Sequence, residues 1–280
     1  MMGVVLALLS ALCYGSSDFI AGVGGRRSDP TTVTVIAQPL GLVAASVAVI
    51  ALSGRSPTQH ALWWGALSGV GSGVGTLSLY RGLAVARMSV VAPLSAVLSA
   101  ALPAVTGLLL GNRLGALAWA GIVVAMPAVT LVSLQPGEGQ GSRRAGIVTG
   151  LVAGTGFALL FIALDRAGTS AGAWPLLAGQ AVAALTVVAW AALARNRPAR
   201  TTWSQAWRMG VAAGVLGGIA NLLYLAATGA GQLAVIAVVT ALYPAVTVLL
   251  ARLTLHEQWS RLQIIGLAIS AVAVAAISIG

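Results

Sequence analysis

Ten long apolar runs, separated by short polar or turn-forming segments, make up almost the whole chain. Each run holds about 20 residues, the length that a helix needs to cross the hydrocarbon core of a bilayer. The runs are apolar on every face, whereas the strands of an outer-membrane barrel would alternate over about 10 residues. The pattern therefore predicts an all-α integral membrane protein. The predicted helices cover residues 2–22, 31–53, 61–85, 89–110, 115–134, 145–165, 172–194, 209–228, 232–254 and 260–279.

The composition supports this prediction. Hydrophobic residues make up 59% of the chain and charged residues 7%, whereas a soluble domain carries roughly 25% charged residues. The surface therefore has too few charges to face water throughout, and lipid must cover much of it. Because ten spans and their links use the 280 residues, we expect no soluble domain within them.

The charges are strongly basic but scattered. The net charge is +10, and all 15 basic residues are arginine. They stand singly or in pairs between apolar runs, so they form no solvated basic face of the kind that binds nucleic acid. We interpret them as charges that set the membrane topology, with some contact to anionic lipid. Cys13 is the single cysteine, so the chain can form no internal disulfide.

The two halves of the chain are similar to each other. Three alignments keep an offset between 142 and 145 residues: 3–20 with 146–163, Gln38 with Gln180, and 92–125 with 237–270. Shared apolar composition does not easily produce three matches in one register. We therefore predict two five-helix units, residues 1–136 and residues 145–280.

Five spans in each unit have a further consequence. The second unit must cross the membrane upside down relative to the first. Inverted repeats are typical of secondary transporters, and they place the substrate site near the bilayer midplane between the halves. The repeat therefore predicts a carrier with its site at the seam between the two units.

The ninth predicted helix carries the most characteristic stretch. It contains Ala241-Leu242-Tyr243-Pro244-Ala245, and His256, Glu257 and Gly266 follow. With these residues the chain resembles the EamA family of the drug/metabolite transporter superfamily, over essentially its whole length and as two EamA units. The first unit departs from the pattern, because Ser99 stands at the place of Pro244 and Asn112 at the place of Glu257.

The resemblance implies a function but no substrate. It implies a multi-pass carrier of the cell membrane that exports or exchanges small metabolites or drugs by alternating access, often driven by protons. A passive channel or facilitator stays open as an alternative, and an intramembrane enzyme is a weaker one. The partners implied are a small-molecule solute, the lipid bilayer and, as an open alternative, protons. The sequence leaves the oligomeric state open, and a monomer is compatible with it.

An enzyme is disfavoured because the spans lack catalytic groups. No span pairs a serine with a histidine, so no catalytic triad can be proposed. Two histidines and one cysteine are too few for a metal cluster. We therefore expect no catalytic residue, no metal and no cofactor.

Asp18 is the carboxylate that lies clearly inside a predicted span. A charge inside the membrane costs ~2.5–3.5 kcal/mol on insertion scales, so such a residue is a candidate for function. Arg81 lies in the last turns of the third predicted helix, which runs in the same direction as the first, so the two side chains are expected at similar depth. The alternatives are an ion pair that only joins helices, a role in proton or substrate binding, and snorkelling to the interface.

Further polar side chains are predicted to face the interior of the helix bundle, because lipid offers them no hydrogen-bonding partner. They either join helices or line a substrate cavity. The candidates are Gln38, Tyr80, Gln180, Asn221, Tyr224, Gln232, Thr240 and Tyr243. The alternate glycines from Gly69 to Gly75 predict close helix packing and not a nucleotide loop, because no strand precedes them and no lysine follows.

The orientation in the membrane is predicted in two ways that disagree. Loops after odd-numbered predicted helices hold 11 arginines, and loops after even-numbered ones hold three. The positive-inside rule then places the odd loops in the cytoplasm and both termini outside. Ten-span relatives usually have both termini inside. We favour the orientation that the charges predict.

Overall fold

The computed structural model describes residues 1–28, 30–51, 55–85, 88–133, 142–193, 200–255 and 260–279. Over these residues the chain forms eleven α-helices. They are α1 (Met2–Arg27), α2 (Pro30–Ala51), α3 (Gln59–Val85), α4 (Met88–Leu109), α5 (Ala116–Ser133), α6 (Arg143–Ala167), α7 (Trp174–Leu193), α8 (Arg200–Thr228), α9 (Leu233–Thr240), α10 (Tyr243–Leu255) and α11 (Arg261–Ile279). The all-α fold is as predicted, with α1–α5 as the first unit and α6–α11 as the second.

The ninth predicted span is not one continuous helix. The α9 helix ends at Thr240 and α10 begins at Tyr243, so the prediction of a single helix over residues 232–254 is corrected. Pro244 lies in the first turn of α10, where its missing backbone N–H removes no helical hydrogen bond. Proline alone does not set the break, because Pro39, Pro103 and Pro127 lie inside continuous helices. Both helices together still form one candidate membrane span, Leu233–Thr254.

Nine segments among the described residues are long and apolar enough to cross a membrane. The α3 helix is the one predicted span outside this group, although its 27 residues are long enough. Its central residues alternate glycine and serine with apolar residues, which lowers its hydropathy. We retain α3 as a span because its neighbours on both sides, α6 and α7, are membrane helices that pack closely on it.

Two stripes of glycines hold the units together. In each stripe the glycines are four residues apart, so they lie on one face of a helix. The stripe on α3 packs against α7 and consists of Gly65, Gly69 and Gly73, and the stripe on α8 packs against α2 and consists of Gly210, Gly214 and Gly218. The second stripe lies 145 positions after the first. The repeat in the sequence is therefore also a repeat in the packing.

The remaining alternate glycines of α3 face a different helix. A Cβ added to Gly71 would lie 2.6 Å from the carbonyl oxygen of Gly156 on α6, and one added to Gly75 would lie 2.9 Å from the Phe157 ring. Glycines thus let α3 approach α6 and α7 at the same time. The prediction that this run serves close helix packing is confirmed.

Helix pairs between the units also occur twice. The α1 helix packs on α8 as α6 packs on α3, and α1 packs on α9 and α10 as α6 packs on α4. The pairs α2 with α7 and α5 with α11 each join equivalent helices. This arrangement agrees with two inverted five-helix units. The exact unit boundaries at residues 136 and 145 stay a prediction.

Candidate functional site

A cavity lies at the seam between the two units. Its walls come from α1, α2 and α3 of the first unit and from α6, α7, α8 and α10 of the second. Its volume is about 110 Å³, which is room for several waters or a small organic molecule. The cavity occupies the place at which an inverted repeat predicts a substrate site.

Five of the residues singled out in the sequence line this cavity. They come from five different helices and both units: Asp18, Gln38, Gln180, Asn221 and Tyr243. These polar groups come together although Asp18 and Tyr243 are 225 positions apart in the chain, which requires the packing of the two units.

Asp18 is the charged side chain of the cavity wall within the described part of the chain. It is partly buried on α1, and no hydrogen bond or ion pair joins its carboxylate to another described residue. A carboxylate at membrane depth without a fixed protein partner retains its capacity to bind a proton or a cation.

Arg81 does not meet Asp18. Its side chain is exposed, and its guanidinium carbon lies 5.7 Å from the centre of the Trp190 ring on α7. The expected approach of the two charges is therefore wrong, because α1 packs on α8 whereas α3 packs on α6 and α7. The contact with Trp190 near the end of α7 is typical of an arginine that extends toward the interface.

Tyr14 is a cavity residue that was not among the predicted candidates. Its hydroxyl donates a hydrogen bond to Oδ1 of Asn221 at 2.7 Å, and Nδ2 of Asn221 donates to the carbonyl oxygen of Gly217 at 2.8 Å. The first bond joins α1 to α8 across the seam. Both side chains are therefore held in the cavity wall.

Two serines extend this contact between α1 and α8. The Ser10 hydroxyl donates to the carbonyl oxygen of Ala220, and the Ser17 hydroxyl donates to that of Ala213, both at 2.8 Å. With Tyr14 between them, they form one polar stripe along α1. Such bonds in membranes average about 0.6 kcal/mol, so three of them hold α1 on α8 with about 2 kcal/mol. Their spacing of four and three residues is the sequence signal that identifies Tyr14 as part of this face.

Gln38 on α2 of the first unit and Gln180 on α7 of the second unit both line the cavity. Gln180 is buried and lies on the backbone of Gly41, where an added Cβ would be 2.8 Å from Nε2 of Gln180. No described residue makes a hydrogen bond with either amide. The structure thus favours the cavity-lining alternative over a direct hydrogen bond between helices.

Aromatic rings from three helices form another part of the wall. The centre of the Tyr14 ring lies 6.1 Å from that of Phe161 in an edge-to-face arrangement and 6.2 Å from that of Tyr243. Phe157, one turn before Phe161 on α6, completes the group. Ring pairs at these distances attract each other, so the wall is a packed aromatic cluster.

Three other predicted candidates lie outside the cavity. Tyr224 is fully buried behind Phe161 and donates to its carbonyl oxygen at 3.2 Å. Gln232 is exposed and donates to the carbonyl oxygen of Arg113 at 2.9 Å. Thr240 is fully buried where α9 ends. The Tyr80 side chain, and the whole of His256 and Glu257, lie outside the described residues.

Hydrogen bonds on the side of the N-terminus also join the two units. The Arg55 guanidinium donates to the carbonyl oxygen of Thr169, and the indole nitrogen of Trp174 donates to that of Arg55 at 3.0 Å. Oδ1 of Asn112 accepts a hydrogen bond from the backbone nitrogen of Ala234 at 3.1 Å. Each of these bonds crosses from one unit to the other, so they hold the two units together on this side.

Comparisons with known proteins agree with this architecture. The sequence matches the model of the EamA-like transporter family over residues 1–134 and 144–279. One solved crystal structure, described only as that of a protein, has a TM-score of 0.77 and 17% sequence identity over 99% of this chain and 98% of its own. At that identity the likeness shows the fold alone. A search of curated proteins gives no match.

Proposed function

Because the chain belongs to the EamA-like transporter family, we propose that it moves small organic metabolites or drugs across the cell membrane as a secondary transporter. Members of this family are multi-pass membrane transporters and not enzymes. The observation that carries the proposal is the cavity at the seam of two inverted units, with Asp18 in its wall. A solute bound there contacts both units at once, which is what alternating access requires.

The mechanism proposed is a rearrangement of one unit against the other. In this structure the seam is held on the side of the N-terminus by bonds such as those of Arg55 and Asn112. Because the units are inverted copies, a second state closes the opposite side and breaks these bonds. These bonds join loop residues to one another or to the first turn of a helix, so they can separate without unfolding a helix.

Proton coupling is the finer part of the proposal. Asp18 has no fixed partner among the described residues, so its charge can be neutralised by a proton or by a solute. A carrier in which both compete for one carboxylate exchanges them across the membrane. We therefore propose export or exchange coupled to protons through Asp18.

The test of the carrier mechanism is counterflow. Liposomes that contain the purified protein are loaded with an unlabelled solute from a panel of amino acids and cationic drugs, and a trace of the radiolabelled solute is added outside. We expect a transient accumulation of label above its equilibrium level. A carrier that brings labelled solute in returns with unlabelled solute, so the label that has entered leaves only slowly at first. Equilibration without such an overshoot, for every solute that enters, would show a passive channel or facilitator instead.

The orientation is tested by cysteine labelling. Cys13 is first replaced by serine, and a single cysteine is then introduced at Asn196 in one variant and at Ser56 in another. The two positions follow an odd-numbered and an even-numbered predicted span, so a membrane-impermeant maleimide must reach them from opposite sides. The charge distribution predicts that Ser56→Cys is labelled in intact cells and Asn196→Cys only after lysis. The reverse result would support termini inside the cell.

A further inference from the structure

We infer from the cavity wall that the bound solute is a small organic cation with an apolar, preferably aromatic, body. This inference rests on the proposed function, because it names the class of solute for the same site. It is carried by two features that lie next to each other in the wall. One is the carboxylate of Asp18, and the other is the aromatic cluster of Tyr14, Phe157, Phe161 and Tyr243.

The charges of the described residues favour a cation over an anion. Asp18 lines the cavity, whereas every arginine side chain that the structure describes is exposed and none lies in the wall. An anion in this cavity would lie near a carboxylate of the same sign, with no described cationic group to offset the repulsion. A cation would neutralise the charge that is costly to keep inside the membrane.

The aromatic cluster adds a second attraction for the same charge. Cations are attracted to the faces of aromatic rings within about 6 Å, and more strongly where water is excluded. Tyr14 stands one turn before Asp18 on α1, so the ring and the carboxylate face the cavity from the same helix. Its hydroxyl is already bonded to Asn221, which fixes the ring in place.

The neutral polar residues suit the rest of such a molecule. Gln38 and Gln180 present amides that no described residue uses, so they can donate to or accept from a hydroxyl, carbonyl or amine. The cavity volume of about 110 Å³ is of the order that accommodates one aromatic ring. An aromatic ring on a short aminoalkyl chain fits both the size and the chemistry.

Three probes of one shape test the charge preference. Phenethylammonium, 2-phenylethanol and phenylacetate share a phenyl ring and a short chain, and at neutral pH they are a cation, a neutral molecule and an anion. Their binding to the full-length protein in lipid nanodiscs is measured by titration calorimetry, with empty nanodiscs as the blank. We expect saturable binding of one phenethylammonium, at least tenfold tighter than 2-phenylethanol, and no binding of phenylacetate.

Variants of Asp18 assign the preference to this carboxylate. Asp18→Asn is expected to weaken phenethylammonium at least tenfold and to leave 2-phenylethanol within about twofold, a difference that corresponds to the loss of one charge interaction. Asp18→Glu restores much of the affinity for the cation. Asp165→Asn is the matched control, because Asp165 lies in the last turn of α6 and outside the cavity wall. This variant should bind phenethylammonium with the same affinity as the unaltered protein.

The outcomes separate this inference from the proposed function. Equal or tighter binding of 2-phenylethanol or phenylacetate by the unaltered protein overturns the inference, and this comparison needs no variant to fold. Unchanged affinity for the cation in Asp18→Asn also overturns it. Counterflow of a neutral or anionic solute without phenethylammonium binding leaves a transporter whose solute is not a cation. Binding of phenethylammonium with no counterflow of any solute supports the cation site and contradicts the transport proposal.

Discussion

Asp18→Asn is expected to reduce the accumulation of solute against its gradient in proteoliposomes by about two orders of magnitude. Asparagine has nearly the same shape as aspartate but cannot exchange a proton or neutralise a cation. A proton or cation that neutralises the carboxylate recovers up to the cost of that charge in the membrane, ~2.5–3.5 kcal/mol, which corresponds to a factor of about 100 in an equilibrium constant. We therefore expect the initial rate of accumulation under an imposed pH gradient to fall about 100-fold.

The same variant is expected to fold normally. Asp18 makes no ion pair or hydrogen bond with the described residues, so asparagine breaks no fixed contact and removes the cost of a charge in the membrane. Thermal unfolding should occur at the same temperature or a higher one. If Asp18 served only in an ion pair that joins helices, the variant would instead lose stability and retain transport.

Asp165→Asn is the control for the loss of a carboxylate elsewhere in the protein. Asp165 is partly buried near the end of α6 and does not line the cavity. Its replacement should leave accumulation within about twofold of the unaltered protein. If Asp18→Asn still moves solute against a gradient, coupling through Asp18 is disproved, whatever the stability of the variant.

The spans and the two units could be predicted because both depend on information within the sequence itself. A membrane helix satisfies its own backbone hydrogen bonds and needs only a sufficient apolar length. The repeat follows from comparison of the chain with itself, and the equal positions of Gly69 and Gly214 in the packing agree with it. The two inverted units predict an interface between them, and inverted repeats place the substrate cavity at that interface.

The partners of individual side chains could not be predicted in the same way. Equal depth was the basis for placing Arg81 near Asp18, but depth does not determine which helices are neighbours. The neighbours of α3 are set by where its glycines allow a backbone to approach, and they face α6 and α7. The hydroxyl of Tyr14 bonds to Asn221, which lies 207 residues further along the chain.

The sequence also did not reveal which side of its helix faces the cavity for a given polar residue. In a soluble protein a polar face identifies the outside of a helix, but these spans are apolar on every face. Tyr224 and Tyr243 therefore looked equivalent, although Tyr224 is packed behind Phe161 and Tyr243 lines the cavity. The break between α9 and α10 contributes to this difference, because it begins a new helix at Tyr243.

Replacing single glycines of the two stripes by alanine is expected to destabilise the protein strongly. A Cβ on Gly69 would lie 2.1 Å from the carbonyl oxygen of Gly179, and one on Gly214 would lie 2.2 Å from that of Ala37. Backbone atoms cannot move aside as a flexible side chain can, so the helices must separate and lose contacts along their length. Overpacking of this kind costs about 1–3 kcal/mol, measured as a lower temperature of thermal unfolding by tryptophan fluorescence in detergent.

Gly22→Ala is the matched control for the same chemical change. Gly22 lies within α1, and an added Cβ would meet no atom within 4 Å. Because alanine favours a helix over glycine by about 1 kcal/mol, this variant should be as stable as the unaltered protein or more so. Gly69→Ala and Gly214→Ala act at separate interfaces, so their effects should add in the double variant. Equal losses in all three single variants would show that the sites respond to any added methyl group, and an unchanged Gly69→Ala would show that α3 and α7 are not in close backbone contact.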